Sequence, residues 1–236
     1  MPQNAAALTF HEFIGSASSL PYRLLQPETS EAQRRYPLVV FLHGAGERGA
    51  DNEQQLIHGV PEFARPERRA AEPCFLIAPQ CPVGHRWVET DWGGEAHTMA
   101  AEPSLPLRAL LELLDRLPQE LPIDLQRVYI TGMSMGGFGA WEALARRPEL
   151  FAAAVLVCAG ADLATAPIVA RTPQWAFHGA LDDAVPVQRS RTMIAALRQA
   201  GGSPRYTEYP AVGHDSWNPA CADPEMHAWL FKQKRD

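Results

Sequence analysis

Arg127-Val-Tyr-Ile-Thr131 runs directly into Gly132-Met-Ser-Met-Gly136, and the reading of these ten residues decides the fold. The first five are mostly β-branched or aromatic and read as a buried strand. Gly136 to Arg147 reads as a helix. Gly-x-Ser-x-Gly on its own also occurs in plain loops. Between a strand and a helix it is a sharp turn that lifts the Ser134 side chain out of the backbone. A side chain at 132 or 136 would crowd that turn. The helix start also offers backbone N–H groups where negative charge is favoured. Ser134 is therefore an expected nucleophile beside expected oxyanion donors.

Outward from this point, strands and helices alternate. Leu8 to Leu25 reads as an antiparallel hairpin turning at Ser18-Ser19. Tyr36 to Leu42 is a strongly apolar strand ending in His43-Gly44, and Cys74 to Ala78 is another, stopped by Pro79. Pro61 to Ala71 reads as short helix plus loop. Leucines from Leu105 to Leu117 recur at helical spacing, with Ser104 as the expected N-cap. After the Ser134 helix come strands at Ala152–Val157, Gln174–His178 and Arg205–Tyr209. Helices are expected at Val187–Gln199, closed by Gly201-Gly202, and at Pro224–Lys232. This order predicts a single α/β domain over residues 1–236. Its sheet is mainly parallel and covered on both faces, with the N-terminal hairpin adding antiparallel strands. Functional loops then gather at the carboxyl ends of the strands.

Ser134 needs a base, and the base needs an orienting acid. In Ser…Asp…His order, the acid follows a later strand and the histidine comes last. The strand Gln174–His178 leads into Gly179-Ala-Leu-Asp182-Asp183. Asp182 is favoured as the acid, with Asp183 in the turn before the next helix. The last strand ends in Tyr209-Pro-Ala-Val-Gly213-His214-Asp215. His214 sits in a polar, Gly-preceded loop and is the expected base, while Asp215 fixes the loop. The oxyanion donors are expected to be the N–H of Met135 and, from the Gly-rich loop after the first apolar strand, the N–H of Ala45. His43 reads as a structural prop.

These pieces resemble the α/β-hydrolases of the small carboxylesterase group. That group includes phospholipase/carboxylesterase and polyhydroxybutyrate-depolymerase-like esterases, some labelled predicted peptidases. The resemblance rests on Leu42-His-Gly-Ala-Gly-Glu-Arg-Gly49, Ala78-Pro-Gln-Cys-Pro82, Gly132-Met-Ser-Met-Gly-Gly137, His178-Gly-x-x-Asp182-x-x-Val-Pro186 and Gly213-His-Asp-Ser-Trp217. It implies Ser134, Asp182 and His214 as a catalytic triad acting on carboxylic esters of small to medium size, without a cofactor. The loop is His-Gly-Ala-Gly where larger lipases have His-Gly-Gly-Gly, and no insertion is long enough for a lid domain. Both departures argue against long-chain triglyceride substrates. The alternatives are a peptidase or amidase using the same triad, and a non-catalytic α/β-hydrolase-like binding domain.

Composition narrows the partners. A net charge of −6 and a pI near 5.8 argue against nucleic-acid binding. The longest apolar stretch, Phe151 to Ala161, is too short to span a bilayer, and Met1 to Leu8 lacks the form of a signal peptide. A soluble, cytoplasmic chain acting on a small-molecule ester is the expectation. Of the four cysteines, Cys158 lies in an expected core strand, and Cys74–Cys81 is a weakly supported disulfide. His85, Glu89, Asp91, Glu95 and His97 fit no familiar metal-ligand spacing, and no metal is expected. Trp87 and Trp92 lie in the long segment Gln80–Ala101, which is expected to overhang the site. Trp92 and Trp217 are candidates for a substrate-binding aromatic wall.

Overall fold

The computed structural model describes residues 7–28, 31 and 33–235. Residues 1–6, on which most of the expectation of no signal peptide rests, lie outside them. Eight strands form one sheet: β1 (Leu8–Ile14), β2 (Ser19–Leu25), β3 (Tyr36–Leu42), β4 (Phe75–Pro79), β5 (Ile123–Met133), β6 (Ala153–Val157), β7 (Gln174–Gly179) and β8 (Arg205–Tyr209). Their spatial order is β1-β2-β4-β3-β5-β6-β7-β8. The β1–β2 and β2–β4 pairs are antiparallel, and every pair from β4 to β8 is parallel. The hairpin turns earlier than the sequence suggests, between Ile14 and Ser19. Gly15 N–H donates to Ser18 O at 3.0 Å, and Ser19 already belongs to β2.

Helices cover both faces. They are α1 (Val60–Phe63), α2 (Pro66–Ala71), α3 (Leu105–Glu120), α4 (Met135–Arg146), α5 (Ala166–Val169), α6 (Gln188–Gln199), α7 (Trp217–Ala222) and α8 (Pro224–Lys232). The period-2 alternation of the strands divides the core into two layers. Leu38, Val40 and Leu42 of β3 pack with Leu110 of α3, Phe138 and Trp141 of α4 and Leu197 of α6. Val39 and Phe41 face the other way, onto Phe63 of α1 and Met226 and Leu230 of α8. All seven residues of β3 are buried, as a strand covered on both faces requires. Burying each large aliphatic or aromatic side chain contributes roughly 1.5–3 kcal/mol. Ser104 caps α3, its Oγ accepting the Leu107 N–H at 3.3 Å.

All four cysteines are free and buried. Cys74 and Cys81 flank opposite ends of β4, whose five residues span roughly 16 Å, more than twice the reach of a disulfide. The short helices α5 and α7 fall in segments with no helical periodicity of their own. No helix among the described residues is long and apolar enough to cross a membrane.

The close packing at the end of β3 has one critical point. A Cβ at Gly136 would lie 2.0 Å from Leu42 O and 2.6 Å from His43 O. Both are backbone atoms and cannot move aside cheaply. Gly136→Ala is expected to destabilise the fold by about 3 kcal/mol in urea denaturation. Gly46→Ala meets nothing within 4 Å and should stay within about 0.5 kcal/mol of the parent.

Candidate active site

Ser134 occupies the turn between β5 and α4 with φ 51° and ψ −124°. This is a left-handed conformation that a non-glycine residue rarely adopts, at a cost of about 1–3 kcal/mol. The surroundings hold it there. Its N–H donates to Val157 O at 2.9 Å, and its carbonyl accepts from Gly137 N–H at 2.8 Å. The result is a serine side chain presented at the carboxyl edge of the sheet and only 7% exposed.

The partners come from the loops after β7 and β8. A Cβ at Gly179 would lie 2.1 Å from Gly213 O, so the two loops pass backbone to backbone. Leu181 N–H donates to Val212 O at 3.0 Å across the same contact. This brings His214 to Ser134: His214 Nε2 lies 2.9 Å from Ser134 Oγ, and His214 Nδ1 lies 2.8 Å from Asp182 Oδ2. Ser134, His214 and Asp182 thus form a continuous hydrogen-bonded chain, with Nδ1–H donating to the carboxylate and Nε2 free to accept the serine proton.

Asp182 does more than the sequence suggests. Its Oδ1 accepts the Ala184 and Val185 N–H groups at 3.0 and 2.8 Å. The turn expected of Asp183 is therefore made by Asp182, and Asp183 is exposed. Asp182 has a fully buried side chain, with His178 Nε2 3.1 Å from its Oδ2 as a second partner. Burial alone would raise its pKa. Hydrogen bonds from His178, His214 and the Val185 N–H outweigh burial and hold the carboxyl well below the usual carboxylate range.

The loop after β3 faces this chain. A Cβ at Gly44 would come 3.7 Å from Ser134 Cβ. Ala45 opens a 3-10 turn, Ala45–Glu47, and Met135 opens α4. Among the described residues neither N–H donates to a protein acceptor. His43 props the loop. Its Nδ1 lies 2.6 Å from Gly44 O, and its Nε2 accepts the Cys81 N–H at 2.9 Å. One acceptor and one donor specify a neutral ring with the proton on Nδ1. Burial drives its pKa down to about 4. Arg48 ties the same loop across, donating to Ala45 O at 2.8 Å and His85 O at 3.4 Å.

The segment after β4 has no secondary structure and packs against the loop after β3 and against α6. Trp87 is fully buried and donates to His43 O at 3.2 Å. Arg189 of α6, only 2% exposed, donates to Gly94 O at 2.6 Å and contacts His97 Nδ1. Trp92 is half-buried with the Arg86 guanidinium 4.5 Å above its ring. Trp217 packs edge-on against His214, ring centroids 5.3 Å apart, and against His58 at 5.5 Å. His58, Trp217 and Asn218 line a cleft of about 270 Å³ beside the histidine. His97 is paired with Arg189, and Asp91 accepts the Gly93 N–H at 3.1 Å. The metal-type donors that do converge among the described residues are Cys158, Asp182 and His214, within 4.8 Å of one another. Asp182 and His214 face each other in the hydrogen bond described above.

The model of the α/β-hydrolase fold family matches residues 37–213. The chain belongs to the α/β-hydrolase family. Among curated relatives, a probable carboxylesterase of Oryza sativa subsp. japonica is 26% identical over 200 residues, covering 76% of this chain and 81% of the relative. A second probable carboxylesterase from the same plant is 25% identical over 214 residues, covering 84% and 79%. Among solved structures, a thermostable esterase is 38% identical with a TM-score of 0.89 and covers 98% of this α/β-hydrolase. This chain spans 64% of that esterase's length. A ferulic acid esterase, at 17% identity and a TM-score of 0.71 over 95% of this chain and 97% of its own, shares the fold.

His43 and His227 are both buried with pKa lowered to about 4, chiefly by burial. Between pH 6.5 and 4 the unfolded chain of this α/β-hydrolase then binds more protons than the folded one. Stability is retained above pH 6.5 and lost as pH falls toward 4. Urea midpoints measured from pH 7 to pH 4 should decline, and His43→Asn should flatten part of that slope.

Proposed function

We propose that this protein is a serine carboxylesterase cleaving carboxylic esters of small to medium size through an acyl-enzyme on Ser134. The observation that carries this reading is the Ser134 Oγ–His214 Nε2 contact of 2.9 Å, continued by His214 Nδ1–Asp182 Oδ2 at 2.8 Å. His214 takes the Ser134 proton as the hydroxyl attacks the ester carbonyl. The negative charge that develops on the carbonyl oxygen is held by the N–H groups of Met135 and Ala45, which donate to no acceptor among the described residues. His214 then gives its proton to the leaving alcohol. Water repeats the sequence on the acyl-enzyme, and Asp182 keeps the imidazole in the productive tautomer throughout.

The preference for esters over amides is supported by the thermostable esterase at 38% identity and by the two plant carboxylesterases. Trp217 bounds the alcohol side in this reading, which its contact with the His214 ring supports. No separate lid domain is inserted between the sheet connections among the described residues, which suits substrates that enter from solvent.

Only the neutral His214 ring accepts a proton, so activity should rise with pH to a plateau. With nitrophenyl acetate, Ser134→Ala should lose the initial burst of nitrophenol and all labelling by a fluorophosphonate probe. Burst kinetics retained in that variant would refute the assignment. On matched ester and anilide substrates of one acid, only the ester should turn over at a measurable rate.

A further inference from the structure

His178 is the last histidine of β7, completely buried, and it has no place in the proton path from Ser134 to Asp182. Its hydrogen-bond surroundings are unlike those of His43. The Nε2 atom lies 3.1 Å from Asp182 Oδ2 and 3.0 Å from Val185 O, and both are acceptors. The Nδ1 atom lies 2.7 Å from Ser190 Oγ. Ser190 places its own proton elsewhere, donating to Ala159 O at 2.8 Å, so toward His178 it too is an acceptor. A ring with acceptors at both nitrogens is satisfied only by two N–H groups. A neutral His178 would have to draw the Ser190 proton away and leave the buried Ala159 carbonyl without it.

Charge balance leads to the same place. The Asp182 side chain is fully removed from water, and a buried carboxylate needs a countercharge. His214 cannot supply it at rest, because a base must be neutral to act. Among the described residues the ion-pair partners of Asp182 are His178 and His214 alone. We propose that His178 is a resting imidazolium, a second histidine on the same carboxylate oxygen as His214, and that it tunes how readily the catalytic base gives up its proton. The inference rests on the triad reading given above. His178 touches neither substrate nor the reacting atoms, so it is a positioning and tuning residue.

The neighbouring groups are compatible with this charge. Glu208 lies opposite His178 in the β7–β8 register, and is matched by Arg191 at 2.8 and 2.6 Å and by the Tyr206 hydroxyl at 2.7 Å. Cys158, at the end of β6, is a buried thiol whose pKa is pushed well up by burial and then by the Asp182 charge, so it adds no negative charge. Asp183 points into solvent. Arg189, next to Ser190 on α6, is engaged with Gly94 and His97. The sign of the effect follows. A cation on Asp182 weakens the hold of that carboxylate on a proton at His214. His214 is then neutral, and competent as a base, at lower pH than with Asp182 alone.

The test has two arms on the full-length protein. The first is the pH profile of kcat/KM with nitrophenyl acetate for His178→Asn, whose side chain cannot carry the charge. The acid limb should move up by about one pH unit, and Ser190→Ala, which removes the acceptor at Nδ1, should move it the same way. A structural role alone would lower kcat and leave the limb in place, and a limb superimposing on that of the parent overturns the proposal. The second arm is nitrogen NMR of the histidine rings in the unmutated protein at pH 7, with the His178 signals assigned by their response to Ser190→Ala. Two N–H groups on the His178 ring are expected, and a single one overturns the proposal. This arm needs no substrate. It decides the state of His178 even if fluorophosphonate fails to label Ser134 and the esterase reading falls.

Discussion

A carboxylate out of contact with water is the constraint on which the active site is built. Asp182 is wholly buried, so each of its lone pairs must find a donor within the protein. Oδ1 takes the N–H groups of Ala184 and Val185, which shapes the loop after β7. Oδ2 faces the imidazoles of His178 and His214. The same atom group thus closes a turn, orients the base and satisfies a buried charge. Removing any one donor would leave a buried acceptor short, a cost of about 1–3 kcal/mol or more for a charged group.

The remaining machinery is a matter of close backbone approach. Ser134 sits at a positive φ because α4 packs against the end of β3 at Gly136, and no residue with a Cβ could occupy that position. The β7 and β8 loops meet at Gly179 and Gly213, which sets the separation between acid and base. The loop after β3 is braced by a neutral His43 and by Arg48, so its N–H groups are held before any substrate arrives. Such preorganisation is what makes donors effective in a water-poor site. Three separate loops are therefore held in register by the sheet rather than by contacts among themselves alone.

Much of this was legible in the sequence where local chemistry and tertiary structure agree. The strand Arg205–Tyr209 and the helix Pro224–Lys232 have the same bounds in the structure, because Pro204 and Pro210 bracket the strand and Asp223-Pro224 opens the helix. Ser134, Asp182 and His214 could be read from order and loop context, and the structure brings them together. Other features depend on partners far along the chain. The turn falls to Asp182 rather than Asp183, since either carboxylate fits the local pattern and only the reach of Oδ1 to Val185 N–H decides. Cys74 and Cys81 stay unpaired because a strand holds the two thiols at opposite ends. His178 read as the end of a strand, although its position four residues before Asp182 was a signal that it could reach the acid. Trp87 is a core anchor for reasons no period in its loop could reveal: it fills the space beside His43 and Gly139.

The buried Asp182 carboxylate sets the tautomer and orientation of His214. Steady-state kinetics of Asp182→Asn with nitrophenyl acetate at the plateau pH address it. An amide of the same size preserves the turn but offers Nδ2–H where His214 requires an acceptor, or else reverses the ring's proton. The predicted result is a loss of about 10⁴-fold in kcat with a folded protein and little change in KM. A kcat within tenfold of the parent would contradict the account.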